Sequence, residues 1–218
     1  MREDHAVQWS LVVPVKRLAL AKTRLDLPAG DRADLALAMA LDVVAAGVGC
    51  LSVARVIVVS DDERARASIA TLGVELVHDE PDAGLNPALA HGVATALRRA
   101  PDDGVCIVSS DIPTTTADEL VAVLAAAAQH VRSFVGDAAG TGTTLLAARA
   151  GAELSPQFGS QSGSAHADAG YVRLAVEAVG ISRDVDTLAD LRAALAGAPE
   201  AAAPRTRAVA RRLALLPD

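Results

Sequence analysis

Short runs rich in valine and isoleucine alternate with amphipathic stretches through the first 130 residues. This alternation constrains the fold more than any other feature. The runs at 6–15 (AVQWSLVVPV), 55–60 (RVIVVS), 74–78 and 105–109 (VCIVS) are apolar over most of their length. Such runs predict strands buried on both faces. The stretches 31–48, 62–72, 86–99 and 116–130 read as helices. Asp31 suits an N-cap, Gly73 a stop signal, and Asn86 an N-cap followed by Pro87 at the first helical position. TADE at 116–119 reads as a capping box. Strands joined by crossover helices imply an α/β fold with a mainly parallel sheet and helices on both sides. Beyond residue 130 the pattern changes. Two strands are expected at 133–136 and 143–148, a polar loop at 156–164, a helix running to about residue 178, and a last helix at 188–196. One domain over 1–197 and a tail over 198–218, holding a short basic helix with a solvated face, complete the expectation.

Composition narrows the function. A chain of 218 residues that is 51% hydrophobic can bury a full core, and with 2% aromatics that core is made of Ala, Val and Leu. A net charge of -7 leaves no basic face for nucleic acid. No apolar run approaches the ~18 residues that span a membrane. The start, MREDHAVQWS, lacks the apolar region of a signal peptide, so a cytoplasmic protein is expected. Cys50 and Cys106 lie in apolar surroundings and read as buried thiols. The five histidines are scattered without metal-ligand spacing.

Parallel sheets bind ligands beyond the carboxyl ends of their strands. Three such places carry chemistry. The first is the loop after the first strand, VKRLALAKTRL. It holds both lysines of the chain, Lys16 and Lys22, against eighteen arginines elsewhere and in the same loop. With Arg17 and Arg24 they form an anion site in which lysine supplies mobile point charges and arginine a planar grip. The second is SSDIP, which presents Asp111 at the tip of a buried strand. The third is DVDT, where alternation turns Asp184 and Asp186 to one side. Magnesium takes one or two carboxylates plus phosphate oxygens, so Asp111 with Asp184 or Asp186 suits a metal–triphosphate site. The same aspartates also suit turns and the cap of the last helix. Two small-residue loops, GTGTT at 140–144 and FGSQSGS at 158–164, offer hydroxyl donors. There is no GxxxxGK[ST] and no GxGxxG, which argues against Walker and dinucleotide sites.

Taken together, VPVKRLALAKTRL, GLNPALAHG, SSDIPTTTADEL, SFVGDAAGTGTTLLAA, PQFG and DVDTLADL resemble the guanylyltransferases that act on phosphoenolpyruvate or 2-phospho-L-lactate in coenzyme F-420 biosynthesis. The resemblance covers about residues 11–191 and implies a GT-A-like nucleotidyltransferase fold (nucleotide-diphospho-sugar transferase-like). By that resemblance Asp111 is a Mg2+ ligand, with Asp184 or Asp186 as the second. Thr143, Gly159 and Ser162 contact phosphoenolpyruvate. Lys16, Lys22 and Arg24 hold the GTP phosphates and act in catalysis, and Asn86 lies near the nucleoside. Two departures stand out: Ser110 occupies a position where relatives often have glycine, and the serine-rich loop leaves Ser160 and Ser164 as rivals to Ser162. The implied reaction is attack of a three-carbon acid's phosphate on the α-phosphorus of GTP. A phosphate ester with a second pKa of about 6 needs no general base. The composition of a GC-rich bacterium favours phosphoenolpyruvate over 2-phospho-L-lactate. A downstream transferase is expected to receive the product. The competing readings are another nucleotidyltransferase and a non-catalytic GTP-binding module. Oligomeric state is not legible.

Overall fold

A computed structural model describes residues 7–80 and 82–216. The elements are β1 (Trp9–Pro14), α1 (Ala29–Gly49), β2 (Val53–Val59), α2 (Glu63–Ala70), β3 (Glu75–Val77), α3 (Leu85–Arg99), β4 (Gly104–Val108), α4 (Ala117–Ala127), β5 (Arg132–Gly136), β6 (Thr143–Ala148), α5 (Ser162–Asp168), β7 (Val172–Arg173), α6 (Leu188–Ala196) and α7 (Pro204–Arg212). The strands form one seven-stranded sheet in the order β3-β2-β1-β4-β6-β5-β7. β1 runs parallel to β2 and β4, and β2 to β3. β6 is antiparallel to both neighbours, and β7 is parallel to β5. The chain therefore builds outward from β1 through β2 to β3, then crosses back to place β4 on the other side of β1. That reversal opens a crevice beyond the carboxyl ends of β1 and β4.

The period of two along β1 explains how the sheet acquires two covers. Leu11 and Val13 share one buried cluster with Val43 and Val44 of α1 and Leu120 and Leu124 of α4. Val12 points to the other face, against Ala88, Leu89 and Val93 of α3. A third cluster joins Leu25, Leu35 and Met39 to Val185, Leu191 and Leu195 and to Ala210 of α7. It fastens the lysine loop and the DVDT segment to one helix, α1.

The structure revises several boundaries. β1 is described from Trp9, and Ala6 lies outside the described residues. α1 begins at Ala29 behind Pro28, so Asp31 sits in the first turn. There its carboxylate favours the helix amino terminus without capping it. The N-cap of α3 is Gly84, at φ 106°, and not Asn86. The helix expected to reach residue 178 ends at Asp168. Tyr171 starts a return to the sheet as β7, which pairs with Ser133 and Phe134. The basic helix at the end keeps a solvated face at Ala208, Arg211 and Arg212, and packs its other face on α1. Asp42 of α1, 4% exposed, accepts hydrogen bonds from the backbone N–H groups of Arg205 and Thr206 and from the Thr206 hydroxyl. It caps α7 from outside, and Thr206, Arg207 and Ala210 are buried.

α3 is held close to the sheet by Gly92. A Cβ there would stand 2.6 Å from Val12 Cγ1 and 2.7 Å from Val59 Cγ2. Both neighbours are β-branched and lie in the central parallel strands, so neither can turn aside. Gly92→Ala gains about 1 kcal/mol of helix propensity but overpacks at a cost of about 1–3 kcal/mol. Urea unfolding is expected to show net destabilisation, and a variant as stable as wild type would contradict this packing.

Candidate active site

The lysine loop leaves β1 at Pro14, and Val15 N–H still bonds the carbonyl of Val59 at 2.9 Å. Leu18 and Leu25 are buried and peg the loop. The Asp62 carboxylate accepts from the Leu18 backbone N–H at 2.8 Å. Between the pegs Lys22 takes a left-handed φ of 53°, which turns its side chain inward across the crevice. Its ammonium donates to Asp111 Oδ2 at 2.7 Å and Asp186 Oδ1 at 3.0 Å. Arg24 reaches the other oxygen of Asp186 at 3.1 Å. Burial pulls the Lys22 ammonium down, but Asp111 and then Asp186 outweigh it, so its pKa ends above the usual value. Asp186 is pushed up by burial and pulled further down by Lys22 and Arg24.

Asp111 stands just past β4, as the sequence places it. The DVDT segment follows a turn and not a strand. It is fixed to the β4 tip by a bond from Val185 N–H to the Asp111 carbonyl at 2.9 Å, while Val185 itself is fully buried. Cap duty for α6 falls to Thr187 and Asp190, which form a reciprocal capping box. Asp184 and Asp186 are thereby released to the cleft.

Three adjoining compartments follow the crevice. The central one, about 450 Å³, holds Lys16, Lys22, Arg24, Asp111 and Asp186. One of about 370 Å³ lies beyond it and brings together Thr143, Gly159, Ser160, Ser162 and Asp184. The third, about 200 Å³, lies on the β1–β2–β3 side and shares Lys16 with the centre. The ten residues singled out from the sequence thus border one continuous cleft, with one exception. Asn86 has its amide turned away: Nδ2 donates to the Phe158 carbonyl at 3.0 Å and Oδ1 accepts from Phe158 N–H at 2.8 Å. It clamps the 156–161 loop. Gly163 N–H, in the first turn of α5, ties the end of that loop to the Thr141 carbonyl at 2.9 Å.

Sequence reasoning missed three features. Asp137 closes the GTGT turn by accepting from Thr141 N–H at 2.9 Å; the DAAG stretch carried a turn signal for it. His166 is fully buried beneath Thr143 and had no spacing signal. Asp61, Asp79 and Asp82 each place an oxygen within 4.8 Å of the others, at the ends of β2 and β3 and the loop that follows.

The compartment of about 370 Å³ carries surplus negative charge. Burial and then Asp111, Asp137 and Asp186 push the Asp184 carboxyl up to about 6. Carboxylates so arranged suit a hard divalent cation such as Mg2+, which favours oxygen ligands. Among the described residues, Asp111, Asp184 and Asp186 do not form a group of ligand atoms within 4.8 Å, since Lys22 stands between two of them.

The sequence model of the family described as "Guanylyl transferase CofC like" matches residues 9–198. A phosphoenolpyruvate guanylyltransferase of Thermomonospora curvata is 52% identical over 212 residues, covering 96% of this chain and 92% of the relative. One of Streptomyces coelicolor is 50% identical over 210 residues, covering 95% and 98%. Among solved structures, one from Desulfovibrio desulfuricans G20, assigned to the nucleotide-diphospho-sugar transferases, superposes with a TM-score of 0.67 at 20% identity, covering 95% of this chain and 96% of that one. The last likeness establishes the fold alone. Among the described residues, no helix is long and apolar enough to cross a membrane.

Burial lowers the His166 imidazole from 6.5 to about 4. The unfolded chain therefore binds a proton that the folded chain refuses. Its contribution to stability is whole above pH 6.5 and is lost as pH falls toward 4. The loss is expected to be on the order of 2–3 kcal/mol. Urea melts at stepped pH should show the gap between wild type and His166→Gln narrowing over that range. A constant gap would mean that the imidazole is not held neutral.

Proposed function

The chain belongs to the family of CofC-like guanylyl transferases, and on that premise we propose that it transfers GMP from GTP to the phosphate of phosphoenolpyruvate. The products are pyrophosphate and enolpyruvoyl-2-diphospho-5'-guanosine, a precursor for coenzyme F-420. The observation that carries the reading is Lys22, which links the β4 tip to the DVDT segment between the loop's cations and the compartment that gathers Thr143, Gly159 and Ser162. Relatives about half identical over nearly the whole chain bear the name of this reaction.

In the reaction a phosphate oxygen of phosphoenolpyruvate forms a bond to the α-phosphorus of GTP. The bond from that phosphorus to the bridging oxygen breaks, and pyrophosphate leaves with the electron pair. The attacking oxygen is already ionised near neutral pH, so the site needs alignment and charge neutralisation and no general base. Lys16, which borders both the central and the β3-side compartments, holds the triphosphate. Lys22 and Arg24 stabilise the charge on departing pyrophosphate. The Lys22 ammonium can exchange a carboxylate for a phosphate oxygen by rotation of its flexible stem. Thr143, Gly159 and Ser162 receive the three-carbon acid. Asp111 and Asp186, with Asp184 beside them, would hold Mg2+, which when bound supplies neutralisation of the phosphate oxygens.

The compartment of about 200 Å³ receives the base. Its walls include Val59, Leu85, Ala88 and Asp79, and one oxygen of the Asp79 carboxylate, Oδ1, has no hydrogen-bond partner. A carboxylate acceptor is complementary to the N1–H and 2-amino donors of guanine, and adenine lacks that pair. The product's reactive diphosphate is handed to a downstream transferase, in the cytoplasm where both substrates arise.

The deciding experiment measures pyrophosphate release from GTP and Mg2+ with phosphoenolpyruvate or 2-phospho-L-lactate supplied in parallel. Release with phosphoenolpyruvate is expected. Release only with 2-phospho-L-lactate would change the acceptor, and release with neither would sink the reading. Lys22→Ala should lower kcat at least about 100-fold while the folded circular-dichroism spectrum persists. Near-normal turnover would remove Lys22 from the mechanism. Asp79→Asn should reduce kcat/KM for GTP roughly tenfold or more and leave KM for phosphoenolpyruvate unchanged. Equal discrimination of GTP and ATP by wild type and variant would refute the base assignment.

A further inference from the structure

Thr143 has a neighbour that the proposed reaction does not yet use. His166 on α5 is 0% exposed. Its Nε2 lies 3.0 Å from the backbone nitrogen of Gln157, and its Nδ1 lies 2.9 Å from Thr143 Oγ1. A backbone N–H can only donate, so Nε2 must carry a lone pair. A neutral ring with a lone pair on Nε2 carries its hydrogen on Nδ1. Nδ1–H therefore donates to Thr143, and Thr143 Oγ1 accepts. The hydroxyl hydrogen of Thr143 is then excluded from the bond to His166. Among the described residues no acceptor pairs with it, and Thr143 borders the acceptor-side compartment.

The packing makes this arrangement rigid. The chain has four aromatic residues, two Phe, one Tyr and one Trp. Three of them surround this one imidazole: the ring centroid lies 5.4 Å from that of Phe158, 5.5 Å from Tyr171 and 6.1 Å from Phe134. The backbone joins in, since Tyr171 N–H bonds the His166 carbonyl at 3.0 Å. Gln157, which fixes the tautomer, immediately precedes Phe158, whose backbone is clamped by Asn86. A lone buried histidine is more often a satisfied core residue. Here its two bonds couple a substrate-facing hydroxyl to the loop that carries Gly159 and Ser160.

We propose that His166 is a positioning residue: by occupying one lone pair of Thr143 Oγ1 it biases the hydroxyl to donate its hydrogen to an anionic oxygen, carboxylate or phosphate, of the three-carbon acceptor. The inference deepens the acceptor assignment above and rests on it. An unlocked hydroxyl can present a lone pair to the ligand as readily as its hydrogen. With Nδ1–H on one lone pair of Oγ1, the hydroxyl hydrogen cannot turn to the ring and is left for the ligand, which favours an anion over a donor group in the same place.

Two substitutions separate the two bonds of the ring. In His166→Asn an amide NH2 takes the place of Nδ1 and still donates to Thr143. In His166→Gln the amide oxygen takes the place of Nε2, which keeps the Gln157 anchor and loses the donation. Calorimetric titration with phosphoenolpyruvate and Mg2+, without GTP, reads binding apart from turnover. His166→Gln should weaken binding about tenfold, Asn should stay within about threefold of wild type, and Thr143→Val should match Gln. Thr143→Val combined with His166→Gln should lose no more than either alone. Nitrogen-15 spectra of the ring should show a protonated Nδ1 and a bare Nε2. A hydrogen on Nε2, unchanged binding in Gln, or equal losses in Asn and Gln would each overturn the inference. Wild type that binds phosphoenolpyruvate in this pattern yet releases no pyrophosphate would overturn the guanylyl-transfer reading and leave the role of His166 standing.

Discussion

One ammonium group joins the parts of the cleft. Lys22 comes from the loop after β1, Asp111 from the tip of β4, and Asp186 from a segment 164 residues farther along the chain than Lys22. Two carboxylates brought this close repel each other, and an ammonium whose own side chain is 10% exposed stands between them. The ammonium makes the approach tolerable. Removing one partner of such a cluster leaves an uncompensated buried charge, which is worse than never having built it. The fold bears this out in its architecture: the third apolar cluster roots both the lysine loop and the DVDT segment in α1, so the charges meet on a common foundation.

The central sheet was legible because β1, β2 and β4 are covered on both faces, and such strands write themselves as unbroken apolar runs. The capping box at Thr116 and Glu119 was equally plain, since its two side chains and two backbone groups satisfy each other locally. The region after residue 160 was not. Ser, Gly and Ala dominate 160–170, and they fit a long helix as well as a short one. β7 is two exposed residues, held by its partner β5 and not by any pattern of its own. Likewise Asn86 followed by Pro87 satisfied the rule for a helix start, but Gly84 opens the helix and the amide serves Phe158.

The cleft was legible in part for a related reason. Lys16, Lys22, Arg24 and Asp111 stand at strand ends, where a parallel sheet must put its ligands. Thr143, Gly159 and Ser162 came from resemblance, and the structure gathers them around one cavity. What bore no mark in the sequence acts through another group. His166 matters only because Gln157 offers it a donor and Thr143 an acceptor, 9 and 23 residues away and with no spacing rule that links them. Asp61, Asp79 and Asp82 gather only when β2 and β3 lie side by side. Contacts of that kind belong to the tertiary structure.

The cleft divides its charges in a way that suits the proposed reaction. On the side of the leaving group stand cations, Lys16, Lys22 and Arg24, where negative charge grows as the bond to pyrophosphate breaks. On the side of the attacking group the donors that would meet the three-carbon acid are neutral, the hydroxyls of Thr143 and Ser162 and the open backbone at Gly159, beside the carboxylates of Asp137 and Asp184. A cation paired tightly with the nucleophilic phosphate would withdraw the electron density that attacks phosphorus. Hydroxyls orient the same oxygens with less withdrawal, provided that their hydrogens point the right way. A freely rotating hydroxyl would spend part of its time misdirected. This is the physical reason for burying a neutral imidazole behind Thr143, and for surrounding it with three of the four aromatic side chains that the chain possesses.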